Sequence, residues 1–120
     1  MSAVRMVVDD VDGMIAGLAG AGYVVAVRWG PPFAVLSGPG PDLWVSGPAT
    51  SAAQSSAQLP EVLRAGAAVR PVLQVEDLEL AIESLVATGW MPATETVSGP
   101  GGVQQLVRRG SVVLEVFCAG

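Results

Sequence analysis

Residues 3–23 recur, in altered form, at residues 70–90. At a constant offset of 67, Val8 falls on Val75, Asp10 on Asp77, Ile15 on Ile82, Leu18 on Leu85, Gly22 on Gly89 and Tyr23 on Trp90. A repeat at fixed spacing constrains a fold more tightly than composition does, because one unit has to satisfy the same local rules twice.

Each copy reads as strand, helix, strand. Apolar Val4, Met6 and Val8 alternate in the first copy, as Leu73 and Val75 do in the second, and each run ends at an Asp able to cap a helix. Ile15 and Leu18, like Ile82 and Leu85, lie three apart and share a helical face. Glycine then stops the helix, where positive φ is commonly required, and an aromatic residue opens the next strand. Residues 23–29, 33–37 and 42–46 follow as strands, with turns at Gly30-Pro31-Pro32 and Gly38-Pro39-Gly40-Pro41. The second copy predicts strand 68–75, helix 77–88, strand 90–97, a turn at residues 98–102, strand 103–108 and strand 111–117. The Gly-Pro-Gly-Gly turn reads as a hairpin connection rather than a phosphate cradle, since no helix start follows it and no Lys is present.

The expected class is therefore α+β: two tandem βαβββ modules forming a curved mixed sheet around a cleft. Residues 3–47 make the first module and 68–117 the second. Residues 48–67 make a linker, small and polar up to Gln58, with a short helix started by Pro60 and Glu61. A chain of 120 residues is one domain by size, so the modules must share a sheet or cleft or exchange parts with a second chain.

Composition narrows the chemistry. The chain has no His, which removes Ser-His-Asp and Cys-His nucleophile systems and any His-ligated zinc or iron. Eleven acids against six bases, all of them Arg, give a net charge of −5. That balance disfavours nucleic acid and suits a neutral or cationic ligand better. The single Cys118 excludes an intrachain disulfide and fits a reducing compartment. No signal-type or membrane-length apolar run is present, so the expectation is a cytoplasmic protein with no membrane partner. Asp9, Asp10 and Asp12 precede a helix and read as capping residues before they read as a catalytic cluster.

Strand alternation sorts the two faces of the sheet. Val4, Met6, Val8, Leu43, Val45, Leu73, Val75, Leu114 and Val116 go under the helices. The cleft face then receives Arg5, Trp44, Arg70, Gln74, Glu115 and Phe117, with Trp29 and Phe33 at its rim beside the Gly-Pro-Pro corner. Trp44 among polar neighbours offers a stacking surface, or else a plug for the cleft or a subunit contact. Arg5, Arg70 and Glu115 either neutralise one another or orient a polar ligand, the arginines holding a carboxylate or carbonyl and Glu115 an amine.

The doubled strand-Asp-helix-Gly-aromatic pattern, Val-Glu-Asp-Leu at 75–78 and Val-Leu-Glu-Val at 113–116 resemble the vicinal oxygen chelate superfamily of glyoxalases, bleomycin-resistance proteins and extradiol dioxygenases. The resemblance implies two modules curled into a cup, with four metal-holding positions that correspond here to Ala3, Trp44, Arg70 and Glu115. Only Glu115 among these could bind a metal, so no metal or cofactor is expected. The chain is then most similar in type to metal-free bleomycin-resistance-like binding proteins. The resemblance therefore also implies a homodimer, with strands or modules open to exchange between chains, and a small-molecule ligand as the other partner.

The expected function is non-catalytic sequestration of a small aromatic or peptide-like molecule, an antibiotic among the candidates, in an aromatic-lined groove. Two alternatives stand beside it. One is a metal-dependent lyase, isomerase or dioxygenase with displaced ligands, and the other a structural or regulatory module whose groove is filled.

Overall fold

The computed structural model describes residues 2–99 and 101–120. Strand β1 (Ser2–Val7) leads through helix α1 (Val11–Ala19) to β2 (Val24–Arg28), β3 (Phe33–Ser37) and β4 (Asp42–Ser46). Two short 3-10 turns, Pro48–Thr50 and Ala52–Ser55, and helix α2 (Glu61–Ala67) connect to the second module. That module comprises β5 (Val69–Gln74), α3 (Leu78–Ala87), β6 (Met91–Pro92), β7 (Val97–Gly99), β8 (Gly102–Arg109) and β9 (Val112–Ala119). Pro100, in the expected turn, lies outside the described residues.

The strands form one mixed sheet in the order β2-β3-β4-β1-β5-β9-β8-β6, with β7 also paired to β8. The order is two matching halves joined back to back at β1 and β5. These two strands run antiparallel, with Arg5 opposite Arg70 and Val4 opposite its own repeat partner Pro71. Within each half the first and last strands pair in parallel, β1 with β4 and β5 with β9. The modules thus pair with each other inside one chain.

Local signals recur at the same offset. The Asp10 carboxylate accepts from the Gly13 N–H and the Asp77 carboxylate from the Leu80 N–H, so both aspartates are helix caps. Asp12 is held by Arg28, and Asp9 is exposed. Helices α1 and α3 are each followed by a glycine in the left-handed region, Gly22 at φ 93° and Gly89 at φ 101°.

The apolar sets pack on opposite faces in the two halves. Under α1, buried Val11, Leu36, Leu43 and Val45 gather Val4, Met6 and Val8, as alternation predicts. On the cleft face of the second half, α2 and the turn before it bury Leu59, Leu63, Ala67, Leu106 and Val113. Residues 48–67 therefore do more than link. They fold onto the sheet and occupy one half of the cleft, because Ala53, Leu59 and Leu63 supply an apolar face too irregular to show as a period.

Two expectations need correction. Leu73 was expected under a helix but is 43% exposed. Helix α3 sits chiefly over β6, β8 and β9, leaving β5 at its margin, and it contributes no fully buried residue. The strand expected over 90–97 is split into β6 and β7. Pro92 has no N–H, the N–H groups of both Ala93 and Thr94 turn to the Leu106 carbonyl, and the Thr94 hydroxyl accepts from the Leu106 N–H.

Gly89→Ala places a Cβ in the left-handed region and should cost about 1–2 kcal/mol of folding stability, read as a lowered urea midpoint with unchanged slope.

Candidate functional site

The seam between the modules carries three buried charged groups. Glu115, on β9, accepts from Arg5 Nε at 2.8 Å through Oε1 and from Arg5 Nη2 at 2.9 Å through Oε2. Its Oε1 also accepts from Arg70 Nε at 2.9 Å. Arg5 is 3% exposed, and Arg70 and Glu115 are fully enclosed. One carboxylate from the second module thus bridges guanidinium groups from both.

Arg70 uses its remaining donors on the segment that fills the cleft. Nη1 donates to Gln54 Oε1 at 2.7 Å and to the Ala67 carbonyl at 2.8 Å. Nη2 donates to Ser51 Oγ at 2.6 Å and reaches Gln104 Oε1 at 3.5 Å. Burial draws the Arg70 guanidinium down from its ordinary range; Glu115 opposes that shift and Arg5 reinforces it. Because arginine stays charged across the neutral range, this is a standing cost of the fold rather than a pH-dependent one.

Beside the triad lies a pocket of about 270 Å³ between the two modules. Trp29, Phe33, Trp44 and Phe117 form its aromatic wall, with Arg5, Gln74 and Gln104 among its polar groups. The rings meet in sequence: Trp29 to Phe33 at 5.8 Å, Phe33 to Trp44 at 6.5 Å and Trp44 to Phe117 at 5.2 Å between centroids. The last two contacts are edge-on, a favourable arrangement for ring quadrupoles. The Arg5 guanidinium lies 5.0 Å from the Trp44 ring centre and 5.9 Å from that of Phe33. These cation–π contacts hold the charge against the aromatic wall.

Of the eight residues singled out from the sequence, Arg5, Trp29, Phe33, Trp44, Gln74 and Phe117 line this one pocket. Arg70 and Glu115 sit behind it and are sealed from it by their own partners. Glu115 is fully enclosed, both its oxygens accept from arginine, and it is not among the residues that line the pocket. Sequence reasoning missed Thr50 and Gln104. Thr50 comes from the segment read as a linker; Gln104 lies opposite Phe117 in the β8–β9 ladder, so the pairing register was the signal that would have found it. Gly101 was also missed. A Cβ there would lie 3.4 Å from the Trp29 ring and 3.6 Å from the Phe117 ring, so any side chain at this position would touch both.

Register relates the two modules' contributions to the site. Arg5 stands opposite Trp44 across β1 and β4, and its repeat partner Val72 stands opposite Glu115 across β5 and β9. Trp44 and Glu115 are therefore equivalent positions. A divalent cation does not fit the four positions that the resemblance marks. Ala3 and Trp44 offer no suitable donor, Arg70 supplies a fixed positive charge, and the oxygens of Glu115 are spent on two guanidinium groups. Among the described residues no group of three or more Asp, Glu, His or Cys side chains converges on a common point.

No protein-family model matches the sequence, and no curated protein does. Solved structures do match the fold. A protein described as an NAD-dependent benzaldehyde dehydrogenase from Legionella pneumophila aligns over 100% of both chains, with a TM-score of 0.71 at 10% identity. A glyoxalase/bleomycin resistance protein/dioxygenase superfamily member from Vibrio splendidus 12B01 aligns over 100% of this chain and 98% of its own, with a TM-score of 0.59 at 16% identity. Methylmalonyl-CoA epimerase from Mycobacterium tuberculosis aligns over 99% and 85%, with a TM-score of 0.60 at 16% identity. At these identities the likeness is one of fold: the chain has the vicinal oxygen chelate fold.

Glu115→Gln leaves two buried guanidinium groups facing each other across β1 and β5 without a counter-charge. It should lower unfolding free energy by about 3–5 kcal/mol in chemical denaturation.

Proposed function

We propose that this protein binds and sequesters a small planar aromatic molecule in the pocket between its modules, without transforming it. The observation that carries this reading is the continuous wall of Trp29, Phe33, Trp44 and Phe117 around a cavity of about 270 Å³. Four rings in a row present apolar area and quadrupole edges to a flat guest, and few polar groups compete for the same surface. The volume is near the lower end of the ~300–1,000 Å³ usual for ligand sites, which suits one ring system with substituents or an aromatic portion of a larger molecule. Planar natural products, antibiotics among them, fall within this class.

Chemistry has little to work with at this position. Arg5 is the charged residue lining the pocket, and a guanidinium held by a carboxylate is a poor proton donor or acceptor near neutrality. Glu115, the natural general base by position, is enclosed and ion-paired. A site that orients a guest but has no group free to move a proton supports binding over turnover, and the misfit of the donor set supports a metal-free mode.

A second copy of the chain belongs to the same proposal. Strand β2 ends the sheet, and every residue of it is exposed, including Val24, Val25 and Val27, with Trp29 just beyond. An apolar edge strand open on its outer side is suited to pairing with its own copy across a two-fold axis, continuing the sheet through both chains. Light scattering over a concentration series should give twice the chain mass of 12.2 kDa. The double change Val25→Lys and Val27→Lys should return the protein to monomer, and a monomeric parent at all concentrations would count against the pairing.

For the pocket itself, titration with a panel of planar aromatic compounds should quench tryptophan fluorescence saturably. Trp44→Ala should weaken that binding about tenfold or more while the far-UV circular dichroism is retained. A panel that produces no saturable quenching would remove the binding reading.

A further inference from the structure

We infer, building on the binding reading above, that the guest is an anion: a planar aromatic or conjugated compound with a carboxylate or similar oxyanion, its charged end seated on Arg5. The overall charge of −5 points the other way, and the local arrangement decides. The buried triad holds two guanidinium groups against one carboxylate, an excess of one positive charge at a place where all three side chains are nearly or fully enclosed. Exposed acids elsewhere on the molecule are screened over about 8 Å at physiological salt, whereas a desolvated charge at the pocket wall is screened much less.

The donor count locates that excess. A guanidinium has five N–H groups. Arg70 directs all of its donors at Glu115, Gln54, Ala67, Ser51 and Gln104, and it does not line the pocket. Arg5 spends one N–H from Nε and one from Nη2 on Glu115 and one from Nη1 on Ser46 Oγ at 2.8 Å. Two of its five therefore have no acceptor among the described residues, and Arg5 is the triad member that reaches the pocket. Burying a cation with donors unspent is expensive unless something supplies acceptors and opposite charge.

The remaining lining agrees in sign. No Asp or Glu is among the described residues that line the pocket. Gln104 turns its Oε1 toward Arg70, so its amide N–H₂ is the end presented toward Gly99 at the pocket wall, and it can donate to the same guest. Arg5 and Gln104 would hold an oxyanion at the inner end while the four rings hold the flat body. A cationic guest would meet the unbalanced guanidinium and find no acidic partner.

Calorimetric titration with 2-naphthoate, 2-naphthamide and 2-naphthylmethylamine, which share one ring system and differ in head-group charge, tests this directly. The carboxylate should bind about tenfold or more tightly than the amide, and the amine weakest of the three. Arg5→Gln should reduce the carboxylate-to-amide ratio to about one. Since Arg5 also supports the seam, its fold is checked by thermal melting, and if it does not fold the parent series alone decides. Equal binding of all three, or tighter binding of the amine, overturns the anion assignment and leaves the aromatic pocket standing. Failure of all three to bind overturns both.

Discussion

Glu115 is the pivot of this molecule. Its side chain is the single negative charge at a seam where Arg5 and Arg70 face each other across two antiparallel strands, and without it the modules would be joined at a point of repulsion. Ion pairs buried this deeply seldom add much net stability over an apolar alternative, because desolvation offsets the attraction. What they do add is registry: a bidentate guanidinium–carboxylate contact is satisfied in one alignment of the strands and in few others. Arg70 extends that registry outward, since its other donors tie down Ser51, Gln54 and the end of α2.

The same tether makes the two halves of the cleft unequal. Duplication alone would leave two similar concave surfaces, one per module. In the second half, α2 and the preceding turns are drawn onto the sheet by Arg70 and packed over Leu106 and Val113. In the first half the face stays open and aromatic. The equivalent register position carries a carboxylate where the surface is filled and an indole where it is free. One divergent pair of residues therefore accompanies the division of a doubled scaffold into a filled side and an open aromatic side.

Much of this architecture was legible in the chain. The repeat at an offset of 67 marked both Asp caps and both left-handed glycines, since each depends on local backbone geometry that a short stretch of sequence encodes. Alternation alone put Arg5, Trp44, Gln74 and Phe117 on one face, because side chains of a strand must take sides. The contribution of residues 48–67 was hidden: its turns are held by Arg70, a residue distant in sequence, and its buried alanines and serines carry no periodic signal. The split of the strand after α3 was equally hidden, as it follows from Thr94 outcompeting the ladder for one N–H. Composition could not speak for the seam, since a charge summed over 120 residues says nothing about three that are shut away from solvent.

Gly101 stands where the two modules come near each other through a residue with no side chain. It belongs to one module and the Trp29 ring to the other, and a methyl group at position 101 would lie 3.4 Å from that ring and 3.6 Å from the Phe117 ring. Those are ordinary touching distances, so alanine fits there without displacement, whereas any bulkier residue would have to wedge the indole away. The spacing across the cleft is thus adjustable from one backbone position, in steps the size of a methyl group.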